Sequence, residues 1–191
     1  MAFYIALLHY PVYNKRGEII AAAITNLDLH DLARLARTYG AKRFYVVNPL
    51  RDQQQLATRI CRHWLRGYGA RYNRDRQKAM CLISVVPTLE ACMAEIEGGE
   101  GEKPTLLATD ARRDKRQKIS YDMAREIVNY NRVVMILFGT AWGMTEELIG
   151  KADYLLEPII GVSDYNHLSV RTAAAITLDR LFSPAYKALR R

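Results

Sequence analysis

The chain has 191 residues, half of them hydrophobic and a quarter charged, and it carries a net charge of +8 with a pI near 9.5. This composition is typical of a soluble globular protein with a real core, and no apolar run approaches the length of a membrane span. Three cysteines without a Cys-x-x-Cys pair argue against a disulfide framework or a metal site. We therefore expect a cytoplasmic protein with reduced thiols and no metal.

Short apolar runs alternate along the chain with segments of helical periodicity. The apolar runs predict strands, at residues 3–9, 43–47, 80–86, 105–109, 133–138 and 154–156. Apolar residues at helical spacing predict helices, at residues 28–40, 53–66, 87–97, 120–129, in a short stretch after 145, and from about 170 to Pro184. Asp28 is the predicted N-cap of the first helix. Residues 67–77 have no period and are predicted to form a loop.

This alternation predicts an α/β fold, with a mostly parallel sheet and helices on both faces. No linker or repeat divides the sequence, so residues 1–191 are predicted to form a single domain with a basic helix-loop segment at about 50–78. In such sheets, ligands bind beyond the carboxyl ends of the strands. Three late loops are expected there, at residues 109–111, 139–143 and 157–163.

The positive charge is concentrated in two segments, which suggests a nucleic acid partner. Seven basic residues lie between Arg59 and Lys78, and five lie between Arg112 and Lys118, including Lys115. Each segment contains one acid, Asp75 in the first and Asp114 in the second. Tyr68 and Tyr72, among the arginines of the first segment, could stack on unpaired bases or belong to a disordered basic loop.

Gly139 and Gly143 follow the strand at residues 133–138, where backbone can approach a ligand closely or adopt a positive φ. A tight strand-to-helix turn without any ligand is an equal alternative. Neither a dinucleotide fingerprint nor a phosphate-binding loop motif occurs in the sequence, and no nucleophile elbow is present.

The order of late motifs resembles the SPOUT superfamily of RNA methyltransferases. These motifs are Phe-Gly-Thr-Ala-Trp-Gly at 138–143, Pro-Ile-Ile-Gly at 158–161 and Leu-Ser-Val-Arg-Thr-Ala-Ala-Ala-Ile at 168–176. The resemblance implies a C-terminal deep trefoil knot that binds S-adenosylmethionine, transfer of a methyl group to tRNA or rRNA, and action as a homodimer. It implies a set of cofactor-binding residues, namely Thr109, Phe138, Gly139, Thr140, Gly143, Ile159, Ile160, His167, Leu168, Ser169 and Thr172.

A looser match in the first half covers residues 28–40, which resemble a motif of the ribose 2′-O-methylating members. In that register Arg34 takes the place of the family's arginine and is the implied catalytic residue, whereas Asp28 stands for Asn and His30 for Gly. A salt-bridging arginine on a polar helix face is the alternative for Arg34. The implied RNA-binding residues are Arg66, Arg71, Tyr72, Arg74 and Arg76.

Other interpretations remain open at this point. A non-catalytic RNA-binding protein of the same fold is the main alternative, and an α/β enzyme that uses another adenine-containing ligand is a third. His167 could act as a base near neutral pH or make a structural hydrogen bond at a helix start. Whether a ribose oxygen or a base nitrogen would accept the methyl group is also open.

Overall fold

The protein is described here by a computed structural model, which covers residues 1–113 and 116–184. Its strands, in chain order, are β1 (Ala2–Leu8), β2 (Val12–Tyr13), β3 (Ile19–Ile20), β4 (Arg43–Val47), β5 (Ile83–Val86), β6 (Thr105–Ala108), β7 (Val133–Gly139) and β8 (Tyr154–Leu155). Six of them form one sheet in the order β5-β4-β1-β7-β6-β8, and every neighbouring pair is parallel. The predicted parallel sheet is therefore confirmed, while the small antiparallel hairpin of β2 and β3 was not predicted.

Helices alternate with these strands. In chain order they are α1 (Asn26–Tyr39), α2 (Arg51–Arg66), α3 (Tyr68–Tyr72), α4 (Arg74–Met80), α5 (Leu89–Glu100), α6 (Tyr121–Tyr130), α7 (Glu146–Gly150) and α8 (Val170–Phe182). The helices cover both faces of the sheet, as predicted. Alternate residues of β1 accordingly point into two separate cores. Phe3, Ile5 and Leu7 belong to one core, and Tyr4, Ala6 and Leu8 belong to the other.

The central strands β1 and β7 set the position of the site. All seven residues of β1 are buried, which explains why the strand is uniformly apolar. Leu8 lies opposite Gly139, so both strands end at the same edge of the sheet. The chain segments that follow them therefore meet above that edge.

The start of α1 differs from the prediction by one turn. Thr25 is the N-cap, and its Oγ1 accepts a hydrogen bond from the backbone N–H of Asp28 at 3.1 Å. The same hydroxyl donates to Asp28 Oδ2 at 2.6 Å. Asp28 is therefore the third residue of the helix rather than its cap, and its buried carboxylate is held at the helix start.

The segment predicted as a loop, residues 67–77, folds into α3 and the start of α4. Asn73 caps α4 by accepting a hydrogen bond from the N–H of Arg76 at 2.9 Å. Gly69 lies so close to Trp64 that an added Cβ would come within 2.6 Å of the indole ring. Tertiary packing against α2, which periodicity does not reveal, orders this segment.

The remaining composition-based expectations concern the thiols and the membrane. Cys61 and Cys92 are buried and Cys81 is exposed; none of the three forms a disulfide. No helix within residues 1–113 and 116–184 combines the length and apolar character needed to cross a bilayer. The same residues contain no cluster of His, Cys, Asp and Glu side chains suited to a metal ion.

Candidate functional site

A cavity of about 1130 Å³ lies at the carboxyl edge of the sheet, where the three predicted loops meet. Its walls come from the segments after β6, β7 and β8 and from the first turn of α8, and Phe138 is buried beneath it. The volume is large enough to enclose a cofactor-sized ligand. The cavity thus lies at the sheet edge at which the sequence places the three loops, and the binding of a ligand there stays a prediction.

The loop after β6 is held over the cavity by ion pairs. The carboxylate of Asp110 is only 4% exposed and accepts from Arg112 Nε at 2.8 Å, and it also pairs with Arg116. Both arginines reach Glu146, with Nη1 to Oε distances of 2.6 Å and 3.1 Å. The charges of Arg112 and Arg116 are thus compensated within the protein, which weakens the predicted RNA footprint at 112–118; residues 114 and 115 lie outside the described part of the chain.

Backbone hydrogen bonds join the loop after β7 to the hairpin of β2 and β3. The N–H of Tyr13 donates to the carbonyl of Gly143 at 2.9 Å, and the N–H of Trp142 donates to the carbonyl of Tyr13 at 2.9 Å. Gly143 has a φ of +98°, so the predicted need for a left-handed glycine holds at this position. At Gly139 the reason is different: an added Cβ would lie 2.7 Å from Met144 Cγ and 3.0 Å from Met144 N.

The segment after β8 and the start of α8 close the far side of the cavity. Ser169 caps α8 by accepting from the N–H of Thr172 at 3.2 Å, and Asn166 Nδ2 donates to the carbonyl of Ala111 at 2.7 Å. Ile159 and Leu168 both line the cavity, and within the described chain no hydrogen bond uses the backbone N–H of either residue.

Most of the predicted cofactor residues line this cavity, but two do not. Ile160 is 60% exposed and lies outside the lining, and Thr172 is exposed and bonded to the cap residue Ser169. His167 lies at the rim with its ring edge-on to Tyr165, and its side chain makes no hydrogen bond to the described residues. The structural hydrogen bond considered for His167 is therefore not observed.

The cavity also contains an ion pair that the sequence did not indicate. Arg171 Nη1, in the first turn of α8, donates to Asp28 Oδ1, in the first turn of α1, at 2.7 Å. Arg171 Nε lies 3.5 Å from Asp31 Oδ2. Both Asp28 and Arg171 line the cavity, so this pair joins α1 and α8, which are far apart in the sequence, at the cavity wall.

His9 is the residue that follows β1, and its side chain is fully buried. Neither ring nitrogen has a hydrogen-bond partner within the described residues. Burial lowers the pKa of His9 from 6.5 to about 4, although the Asp28 carboxylate acts in the opposite direction. The imidazole is therefore neutral in the folded protein at physiological pH.

This lowered pKa makes the stability of the protein depend on pH. Below pH 6.5 the unfolded chain protonates His9 while the folded chain does not, so stability that is fully present above pH 6.5 is lost as the pH falls toward about 4. We expect His9→Leu to flatten this loss in urea unfolding measured between pH 4 and 7. The exposed His63→Gln is the control, and parallel pH profiles for wild type and His9→Leu would contradict the assignment.

The residues predicted to act on RNA lie away from the cavity of their own chain. Arg34 is exposed on α1 and does not line the cavity. Arg66, Arg71 and Arg74 are exposed, and no described residue forms an ion pair with them. Tyr72 is 75% exposed. Arg66, Arg71 and Arg74 of the first basic segment therefore present uncompensated charge to the solvent, unlike Arg112 and Arg116 of the second.

Comparison with known protein families gives a match over nearly the whole chain. The matching family is described as SAM-dependent RNA methyltransferase, and its model covers residues 2–183. A protein of Aquifex aeolicus, named only as uncharacterised, is 42% identical over 181 residues, which cover 94% of this chain and 88% of that protein.

Two further similarities place this match in context. A tRNA (guanine-N(1)-)-methyltransferase of Oleidesulfovibrio alaskensis is 40% identical over 182 residues, which are 95% of this chain but 42% of that protein. The chain therefore spans less than half the length of this relative. The crystal structure of a SpoU methyltransferase from Streptomyces viridochromogenes superposes with a TM-score of 0.61 at 15% identity, covering 98% of this chain and 61% of that one.

Proposed function

Since the chain belongs to the family of SAM-dependent RNA methyltransferases, we propose that its cavity binds S-adenosylmethionine and that the protein methylates RNA. The sequence-based assignment to the SPOUT superfamily is confirmed by the family match and the SpoU-like fold. The observation that carries the proposal is the cavity itself, because three loops of one sheet edge converge on it.

The residues around the cavity fit this cofactor. Phe138, Ile159 and Ala173 supply apolar surface for an adenine ring, and the unbonded amides of Ile159 and Leu168 can donate to its nitrogens. The backbone at Gly143 faces open space, since an added Cβ would meet only Asp110 Oδ1, at 3.8 Å. When bound, S-adenosylmethionine supplies an electrophilic methyl group on its sulfonium.

The protein's own contribution is to hold the cofactor and the acceptor in line and to limit access of water. The ion pairs of Asp110 with Arg112 and Arg116 hold one part of the cavity wall, and the Asp28–Arg171 pair holds another. Tyr121 and Thr177, whose hydroxyl oxygens are 3.3 Å apart, add buried polar surface at the cavity. These fixed walls favour a preorganised site.

We propose RNA, and tRNA in particular, as the acceptor. The family description names RNA, and the Oleidesulfovibrio relative is named for tRNA. The guanine-N1 specificity in that name belongs to a protein of which this chain matches less than half, and the proposal names no target nucleotide.

The knot and the homodimer are further parts of the proposal. The segment after β6 lies against the segment after β8, joined by the parallel Ile119–Leu156 bridge and the Asn166–Ala111 hydrogen bond, and this close association is compatible with a knotted backbone. Arg34 lies outside the cavity of its own chain, so its predicted catalytic role requires a second subunit to bring it to the methyl group.

Binding of S-adenosylmethionine tests this function most directly. We expect calorimetry to show one site per chain and expect tritiated methyl groups to pass from the cofactor to unmodified bulk tRNA. The alternative, a non-catalytic RNA-binding protein, would bind the tRNA without heat of cofactor binding or label transfer. That result would reject the proposed function.

A further inference from the structure

A second hollow, of about 340 Å³, lies between α1 and α4, outside the cavity described above. Three arginines dominate its lining, and we call the hollow the arginine notch; they are Arg34, Arg37 and Arg76. Thr38, Asn73, Asp75 and Ala79 complete the lining. The notch therefore combines three guanidinium groups with polar side chains in one concave surface.

The fold brings these arginines together from two helices. Arg34 and Arg37 are three residues apart in α1 and thus share one helix face, with His30 one turn before them on the same stripe. Arg76 lies in α4, and its guanidinium carbon is 4.9 Å from the centroid of the Trp64 ring. Stacking on an aromatic face holds the guanidinium in place before any ligand arrives.

The positive charge of the notch is not compensated. None of its three arginines forms an ion pair with residues 1–113 or 116–184. The single acid of the lining, Asp75, is bonded to Lys78 at 3.0 Å and has a side chain that is 90% exposed. Burial lowers the pKa of His30, and the charges of Arg76 and Arg34 lower it further, so both guanidinium groups act on the same buried ring.

We propose that the arginine notch binds one phosphate group of the RNA backbone. This proposal rests on the proposed function for its RNA, which is the acceptor of the methyl group. Guanidinium groups bind phosphate oxygens in a fork that a single lysine cannot reproduce, and a phosphate would offset the mutual repulsion of the three charges.

The neighbouring helix favours RNA over free phosphate as the source of this group. Asn73 joins the notch to α3, where Tyr68 and Tyr72 are 73% and 75% exposed. Their rings are stacked, with centroids 5.9 Å apart and an interplanar angle of 21°. Exposed aromatic faces next to a cationic groove are the features that bind bases and backbone of a single strand.

The salt dependence of RNA binding tests the notch without cofactor. With a fluorescent single-stranded RNA as the probe, Arg37→Ala and Arg76→Ala should each lower the slope of log K against log salt by about 0.7, the value for one phosphate contact of a single strand. Because both side chains act on one phosphate, the double variant should lose no more than either single variant. Arg43→Ala, an exposed arginine at the amino end of β4, should leave the slope unchanged.

Three outcomes would overturn the proposal. Additive losses of slope would mean a diffuse basic surface, and unchanged slopes would mean that no phosphate binds in the notch. If Arg37→Ala and Arg76→Ala bind inorganic phosphate more weakly than the wild type by ³¹P NMR but bind RNA with unchanged affinity, the notch is a site for free phosphate.

Methyl transfer gives an independent measurement. In Arg37→Ala and Arg76→Ala we expect the KM for tRNA to rise several-fold, with kcat changed less than twofold and the affinity for S-adenosylmethionine unchanged. If the wild type fails to bind S-adenosylmethionine, the proposed function fails while the slope measurement still decides the notch. If kcat falls for Arg34→Ala but not for the other two variants, Arg34 acts in catalysis and does not bind the phosphate.

Discussion

Replacing Gly139 with valine is expected to abolish binding of S-adenosylmethionine. The first atom of the new side chain would lie 2.7 Å from Met144 Cγ and 3.0 Å from Met144 N, so a backbone atom as well as a side chain must move. Met144 is 1% exposed and belongs to the core beneath the loop. The displacement therefore shifts the whole segment 139–144, which forms one wall of the cavity. Calorimetry with S-adenosylmethionine measures the loss.

A matched glycine separates this effect from the general cost of adding a side chain. Gly150 lies in α7, the next helix, and an added Cβ there meets nothing within 4 Å. Gly150→Val should therefore retain normal cofactor affinity. We expect a lower melting temperature but native-like circular dichroism for Gly139→Val, since the rest of the sheet is unaffected. Normal affinity in Gly139→Val would show that the loop after β7 does not form the cofactor site.

The strands and loops that form this site can be predicted well from the sequence, because their positions depend on local patterns. The run 133–138 is uniformly apolar since β7 is paired on both sides, with β1 and with β6, and buried within the sheet. A glycine then marks the carboxyl end of that strand, where the loop turns back over the sheet. Strand ends in a parallel sheet meet at one edge, so the positions of the three loops follow without knowledge of tertiary contacts.

Two features could not be predicted from local patterns. Residues 67–77 lack helical periodicity, yet packing of Gly69 against Trp64 and burial of Ala79 fix two short helices there. Arg171 and Asp28 are 143 positions apart, and neither residue type predicts the other. A buried carboxylate near a helix start usually has local hydrogen-bond partners, so no local pattern points to an arginine in α8.

The role of Arg34 shows how the structure sharpens a motif-based prediction. From the sequence, Arg34 could be a catalytic group or a salt-bridging residue on a polar face. No described residue forms an ion pair with it, so the salt bridge is not observed. Its place beside Arg37 and Arg76 instead offers an anion site within one chain, and the catalytic role remains a prediction that needs a second subunit.

Removing Arg171 is expected to reduce both stability and methyl transfer. Arg171→Ala leaves the Asp28 carboxylate, 8% exposed, without its cationic partner. Breaking a fully buried pair costs 3–5 kcal/mol, but Arg171 is 31% exposed, so we expect a loss of about 1–2 kcal/mol in urea unfolding. Because the pair forms one wall of the cavity, a small displacement there should lower single-turnover methyl transfer by on the order of 10²-fold.

A control variant and a double variant test whether these losses come from the Asp28–Arg171 ion pair. Lys42→Ala breaks the ion pair with Glu100, which is 2.6 Å long and does not line the cavity, and should leave methyl transfer unchanged. Asp28→Asn combined with Arg171→Ala should be at least as stable as Arg171→Ala alone, because no unpaired charge then remains at the buried position. A double variant less stable than Arg171→Ala would show that Asp28 stabilises α1 through Thr25 and not through the pair. Wild-type transfer in Arg171→Ala would mean that the wall formed by α1 and α8 does not position the reacting groups.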